Sequence, residues 1–293
     1  MEEYLAAFLQ YLEFEKRYSP HTIDAYRRDL NKFRGFLSEN GIEDTGVDFR
    51  AIRRWIVVLD SRNDSSRTIN RKIASLKAYF KYLIKKGLTE INPMEKVGTL
   101  KIDKNLPVFV TTDKMDTLLD EQTEVTDRFE TERDKMVLEL FYMTGMRLSE
   151  LINLKDNDVD VAGMTIKVLG KRNKERVIPL TEAFCEMLCR YIILKQAKFP
   201  DSNSLFVLDS GKPLYARWVQ RLTTEKLGMV TTMKKRSPHV LRHSFATNIL
   251  FEGAELTAIK DILGHANLAA TQLYTHSSLK RIKKIYEQAH PRA

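Results

Sequence analysis

The sequence has almost no cysteine. There are two in 293 residues, Cys185 and Cys189, four apart on one predicted helix. A zinc site needs two further ligands close by, and the neighbourhood offers none. The pair reads as two small apolar residues, and so few cysteines in a chain of this length fit a reducing compartment. No apolar run is long enough to cross a membrane. The opening stretch, MEEYLAAFLQYLEFEKR, is acidic and interrupted by charge, so no signal peptide is expected. There is no GxxxxGKS/T loop of the kind that serves ATP motors, and no HExxH pair. No carboxylate cluster suggests a two-metal nuclease. Repeats and low-complexity tracts are also missing.

Positive charge, by contrast, is in excess. The chain carries 48 Lys and Arg against 39 Asp and Glu, a net charge of +9. Residues 1–104 hold 20 basic against 15 acidic residues and the remainder 28 against 24, so no single tail carries the excess. Such a balance favours a polyanionic partner, nucleic acid first. The length suits one large domain or two ordinary ones, and a hydrophobic content of 43% suffices for real cores.

Residues 1–86 read as four helices. The second opens with Ser19 as N-cap and Pro20 at its first position, and aligns Ile23, Tyr26, Leu30, Phe33 and Leu37 on one face. The fourth aligns Ile69, Ile73, Leu76, Phe80 and Leu83 and also carries Arg67, Arg71, Lys72, Lys77 and Lys81. Those cations form either a solvated face or a DNA contact. Residues 87–111, with Pro93 and Pro107, break the periodicity and read as an interdomain linker. Beyond them, helices are predicted over 113–120 and 131–144, then a short one at LSELINL. The alternating stretches MTIKVLG and ERVIPL, joined by KRNK, predict a small antiparallel hairpin. Helices follow over 181–198, 215–227, 238–252, 255–263, 267–274 and 278–289.

The residues that could carry chemistry are scattered. His239, Arg242 and His243 open the helix of SPHVLRHSFATNIL, at spacings that place them on one face. A metal between the two histidines would sit beside a permanent positive charge, so an anion is the better guest. Ser237 as N-cap and Pro238 at the first position would aim backbone N–H groups and the helix dipole at a phosphate. The alternative is a solvent-capped histidine and an arginine paired with a nearby acid. Arg147 emerges from the end of a strongly apolar helix, and its partner is either Glu150 or the phosphate of a ligand. Lys171, at the hairpin tip, is a solvated turn lysine or a mobile acid reaching into a groove. His265 stands at a helix break after Gly264. Tyr274 is either a half-buried packing residue or a nucleophile toward phosphorus.

Arg147 in TGMRLSEL, Lys171 in GKRNKERVIPL, His239 and Arg242 in HVLRH, His265 in LGH and Tyr274 in YTH together resemble the catalytic set of the tyrosine recombinases, or phage-integrase family. Order, local words and spacings match over nearly the whole chain, and the ending YEQAHPRA is similar to the Xer subgroup. One departure stands out. The family's hairpin usually reads Gly-Lys-Gly, and here Arg172 replaces the second glycine, leaving Asn173 to supply positive φ and Arg172 to add a phosphate contact.

The resemblance implies a mainly α fold with a small antiparallel sheet, arranged as a two-domain C-shaped DNA clamp. Residues 1–100 would be a helical, SAM-like core-DNA-binding domain, 101–111 a linker and 112–293 the catalytic domain. It implies cleavage and rejoining of DNA through a 3′-phosphotyrosyl intermediate, with no metal, ATP or other cofactor. In the Xer subgroup this serves chromosome dimer resolution, in the cytoplasm at the nucleoid. Tyr274 would be the nucleophile, His239 the base, Arg147, Arg242 and His265 the clamp on the phosphate oxygens, and Lys171 the acid for the leaving oxygen. Glu150 would orient Arg147 or its neighbours, and His243 would support the catalytic set from behind or be structural. Arg67, Arg71, Lys72, Lys77, Arg172, Lys235 and Arg236 are candidate DNA contacts. Implied partners are double-stranded DNA with a specific site, a homo- or hetero-tetramer with a sister recombinase on two sites, and a DNA translocase. No membrane partner is expected. Leu279, Ile282 and Ile285 would dock the last helix on a neighbouring protomer. Rival readings are an integrase or transposase of a mobile element, a type IB topoisomerase and a non-catalytic DNA-binding protein.

Overall fold

The computed structural model describes residues 2–43, 47–102, 108–120, 128–170 and 175–264. The chain divides into two compact units, residues 1–105 and 106–293, each with its own hydrophobic core.

Unit 1 is helical. It comprises α1 (Glu2–Gln10), α2 (Pro20–Glu39), α3 (Phe49–Ser61) and α4 (Ser66–Lys85), with α1 running on into a wider π turn over Tyr11–Glu15. Short polar side chains start the helices. Ser19, Asp48 and Ser65 each accept a hydrogen bond from a backbone N–H of the following first turn, satisfying a donor the helix cannot. The apolar stripes then meet at their predicted faces. Phe33 and Trp55 stack edge-on at 4.9 Å, and Phe8 meets Tyr79 at 5.4 Å.

The irregular segment after α4 is not a free tether. Met94 and Val97 are buried, and the Asn70 side chain pairs with the backbone of Leu100 at both its N–H (2.8 Å) and its carbonyl (2.9 Å). Residues up to Leu100 therefore belong to unit 1, correcting the reading of the whole 87–111 stretch as linker. An amide side chain that copies a backbone pair does for an irregular chain what a neighbouring strand would do.

Unit 2 contains α5 (Thr112–Asp120), α6 (Phe129–Thr144), the single-turn α7 (Leu148–Leu151), then β1 (Val159–Asp160), β2 (Thr165–Leu169) and β3 (Glu175–Pro179), followed by α8 (Glu182–Lys198), α9 (Ala216–Val230), α10 (Pro238–Phe251) and α11 (Leu256–Leu263). α6 is buried on every side from Lys135 to Thr144 because it packs against both α8 and α10, and that buried length includes the polar residues Lys135, Glu139 and Thr144. The sheet is antiparallel in the order β1-β2-β3, one strand more than the hairpin read from the sequence. Its register sets Ile166 opposite Ile178 and Val168 opposite Arg176. All four are buried, so an arginine occupies a core-facing position on β3. Among the described residues no helix is long and apolar enough to span a membrane.

Candidate active site

The site is built on a tight turn. α6 ends at Gly145, whose left-handed backbone (φ 57°) closes the helix with a bond from its N–H to the Phe141 carbonyl (2.9 Å). No other residue fits there. A β-carbon on Gly145 would lie 2.4 Å from the Phe245 ring and 2.8 Å from the Leu263 side chain. α10 and α11 therefore press directly against this turn. Met146 is buried beyond it, and Arg147 follows in extended conformation as N-cap of α7.

Arg147 is half-buried, and Glu150 is its partner. The Glu150 carboxylate accepts the Arg147 backbone N–H at 2.7 Å and Nη1 at 2.7 Å. The same carboxylate takes both Nη groups of Arg176, at 2.7 and 2.9 Å, as a two-point fork. Burial pushes the Glu150 carboxyl up, but the hydrogen bonds and charge of Arg176, with the donors of Arg147, outweigh it and hold the group below its ordinary value.

Three guanidinium groups meet the end of α11. Arg176 Nε donates to the Ile262 carbonyl (2.8 Å), Arg242 Nη2 to Leu263 (2.7 Å) and Arg147 Nη2 to Gly264 (2.8 Å). These are the carbonyls that a helix C-terminus leaves unsatisfied, and the negative end of the helix dipole favours cations there. Arg242 also donates through Nη1 to the Gly145 carbonyl, so it ties the ends of α6 and α11 together. The cluster holds three arginines and one carboxylate, and its positive excess is visible in Arg242. Burial, and then the charges of Arg147 and Arg176, lower its pKa to about 10, with Glu150 offsetting only part. A pair of crowded, half-desolvated guanidinium groups with N–H donors to spare has the charge and donors to receive an anion.

The other sequence candidates fall as follows. His239 is exposed on the first turn of α10, three residues before Arg242, and His243 is half-buried. Ser237 is the N-cap and Pro238 follows it, but the expected capping bond is not made. The Ser237 hydroxyl is buried with no hydrogen-bond partner among the described residues. Arg67, Arg71 and Lys77 are exposed on α4, and Lys235 is exposed before α10. Arg71 is held by Asp29, a buried carboxylate that also accepts from Ser75 (2.9 Å). Arg236 lies against Gly228 of α9, where a β-carbon would meet its guanidinium at 2.4 Å.

Lys72 departs from the expected DNA face. It is 2% exposed and its ammonium is engaged by Asp64. Lys72 stands three and four residues from Ile69 and Leu76, in phase with the core rather than with the basic face. Lys171, Arg172, His265, Tyr274 and the stripe Leu279, Ile282 and Ile285 lie outside the described residues. Among those described, no group of three or more His, Cys, Asp or Glu is placed to hold a metal ion. Cys185 is buried and Cys189 half-buried, and neither forms a disulfide.

Arg176 escaped the sequence reading. Its signal was present in ERVIPL, where an arginine alternates in phase with the inward Ile178. A charge at a core-facing strand position requires a buried partner.

A mainly helical unit with a small antiparallel sheet, an arginine pair crowded at a helix end and a histidine one turn ahead defines the class, a tyrosine-type site-specific recombinase, and the comparisons with known proteins show it. Residues 109–281 match the phage integrase family and residues 5–87 the phage integrase N-terminal SAM-like domain, and the chain belongs to that family. Tyrosine recombinase XerC of Thermodesulfovibrio yellowstonii is 37% identical over 294 residues, covering 98% of this chain and 96% of that protein. Tyrosine recombinase XerC of Halalkalibacterium halodurans is 36% identical over 300 residues, covering 100% and 98%. Among solved structures, XerH recombinase in a post-cleavage complex with a palindromic difH substrate superposes with a TM-score of 0.73 at 22% identity, over 90% of this chain and 78% of that one. At that identity the likeness shows the fold alone.

Proposed function

We propose that the chain exchanges DNA strands at paired specific sites in the manner of the Xer subgroup, resolving chromosome dimers in the cytoplasm at the nucleoid. The observation that carries this is the positive excess at Arg147 and Arg242, set on the carbonyls that directly precede His265. Tyr274 attacks the scissile phosphodiester, and its oxygen replaces the 5′-oxygen of the leaving strand on phosphorus. The phosphodiester energy is kept in a 3′-phosphotyrosyl bond. His239 accepts the tyrosine proton, and Lys171 protonates the departing oxygen. Arg147, Arg242 and His265 neutralise the charge that builds on the non-bridging oxygens, the work that a metal ion does elsewhere.

Affinity for the duplex comes from the phosphate contacts of the basic residues Arg67, Arg71, Lys77, Arg172, Lys235 and Arg236. Four protomers, identical or shared with a sister recombinase, act on two sites, and a DNA translocase is a further expected partner. The deciding experiment uses a nicked suicide duplex carrying the chromosomal site. Wild type should give a covalent adduct in EDTA, and Tyr274→Phe should bind the duplex without forming one. An adduct with the phenylalanine variant, or a strict metal requirement, would overturn the reading.

A further inference from the structure

Arg176 is 5% exposed, sits in the core-facing row of β3, and spends Nε, Nη1 and Nη2 on groups of its own chain. It does not reach a DNA phosphate from there. What it holds are the two supports of Arg147. One is Glu150, whose oxygens are each shared: Oε1 by Arg176 Nη1 and Arg147 Nη1, Oε2 by Arg176 Nη2 and the Arg147 backbone N–H. The other is the end of α11. Arg176 grips the Ile262 carbonyl, two residues before the Gly264 carbonyl that receives Arg147. The contact is close, since a β-carbon on Gly264 would lie 3.1 Å from Arg176 Cδ.

We propose that Arg176 is a positioning residue for strand cleavage, which fixes Glu150 and the α11 terminus so that the Arg147 guanidinium keeps one aim and retains donors for the phosphate. The inference rests on the reading of Arg147 as a phosphate-binding residue.

Two considerations favour this over simple neutralisation of a buried carboxylate. Glu150 already has a cationic partner in Arg147, so a second arginine is not needed to balance it. Adding Arg176 puts two arginines on one carboxylate, with Arg242 close by on backbone carbonyls, a net positive arrangement unfavourable for the empty site. Moreover, Glu150 released from Arg176 would be free to take further donors from Arg147, and those are the donors a phosphate needs. A lysine at 176 keeps the charge but lacks the planar fork that reaches both Glu150 oxygens and the Ile262 carbonyl together.

The test measures the single-turnover rate constant for adduct formation on pre-bound suicide duplex, so that a loss of folded protein lowers the amplitude and not the rate. Four variants are compared with wild type: Arg176→Lys, the amide pair Arg176→Gln with Glu150→Gln, Arg147→Ala, and Arg147→Ala with Arg176→Lys. Arg176→Lys should bind the duplex with wild-type affinity and salt dependence and form adduct about 10- to 100-fold more slowly. The amide pair, which keeps the net charge of the pair and the size of Glu150 but removes the guanidinium fork, should also be slow. The double variant should be no slower than Arg147→Ala, because a residue that acts through Arg147 has nothing left to position. Wild-type rates in both Arg176→Lys and the amide pair, or independent multiplying losses in the double variant, would overturn the inference. A wild-type rate in Arg147→Ala would overturn the active-site reading itself and is separately visible.

Discussion

Phe245 lies so close to Gly145 that a β-carbon on the glycine would stand 2.4 Å from its ring. That contact seats α10 on the turn from which Arg147 emerges, and the Gly145 carbonyl is itself a partner of Arg242. Gly145→Ala combines a clash with positive φ. We expect a loss of about 1–3 kcal/mol in stability. Adduct formation should fall further than DNA binding, because both arginines are moved. Thermal melts and the suicide-duplex assay, run side by side, check this.

Glu150 should make the stability of unit 2 sensitive to acid. Its pKa is lowered from 4.5 in the folded chain, so its contribution is fully present above pH 4.5 and is lost as pH falls through the lower folded value. Glu150→Gln leaves buried Arg176 without its counter-charge and should cost about 3–5 kcal/mol at neutral pH. The gap to wild type should narrow as pH drops below 4.5. Urea melts of both proteins at pH 7 and at about pH 3.5 measure it; a gap independent of pH would contradict the assignment.

Arg242 is a cation under strain, with its pKa lowered to about 10 by burial and by Arg147 and Arg176. The sign is opposite to that of Glu150. The charged form is penalised in the folded chain at every pH below about 10, and an anion placed beside it relieves the penalty. Sulfate should therefore raise the melting temperature of wild type more than that of Arg242→Gln, with chloride at equal ionic strength as reference. The same variant should slow adduct formation by about 100- to 1,000-fold.

Arg71 and Lys72 are adjacent in sequence and should behave in opposite ways. Arg71 is exposed and aimed by Asp29, whereas Lys72 is buried on Asp64. Arg71→Ala should weaken duplex binding and reduce the slope of affinity against salt by about 1. Lys72→Met should leave that slope unchanged and lower the melting temperature. Binding titrations across a range of salt, with melts in parallel, separate the two effects.

Much of this molecule was legible before folding. Helical spacing located the faces of α2 and α4 and the last residue of α6, and Ser19 marked the start of α2, because these features act within a few residues of chain. The mainly helical class with a small antiparallel sheet followed from the same local patterns. Arg147 and Arg242 stood out by their neighbours in sequence and by family likeness. The burial of Lys72 was also encoded, in its phase with Ile69 and Leu76, but its charge drew attention away from that phase.

Periodicity assigns each residue to a face, and a cap or a tight turn to a boundary; these depend on backbone geometry that the sequence carries locally. The partner of a charge is different. Glu150 meets Arg176 across 26 residues, Arg242 meets Gly145 across 97, and Arg147 meets Gly264 across 117. Such pairings depend on how α6, α7, α10, α11 and the sheet pack, and desolvation makes each of them strong only once that packing exists. The sequence by itself determined the helices of both units, the β2–β3 hairpin, and Arg147 and Arg242 as candidates. Only the tertiary structure decided that the arginines converge on one helix end and that Arg176 shares Glu150 with Arg147 there.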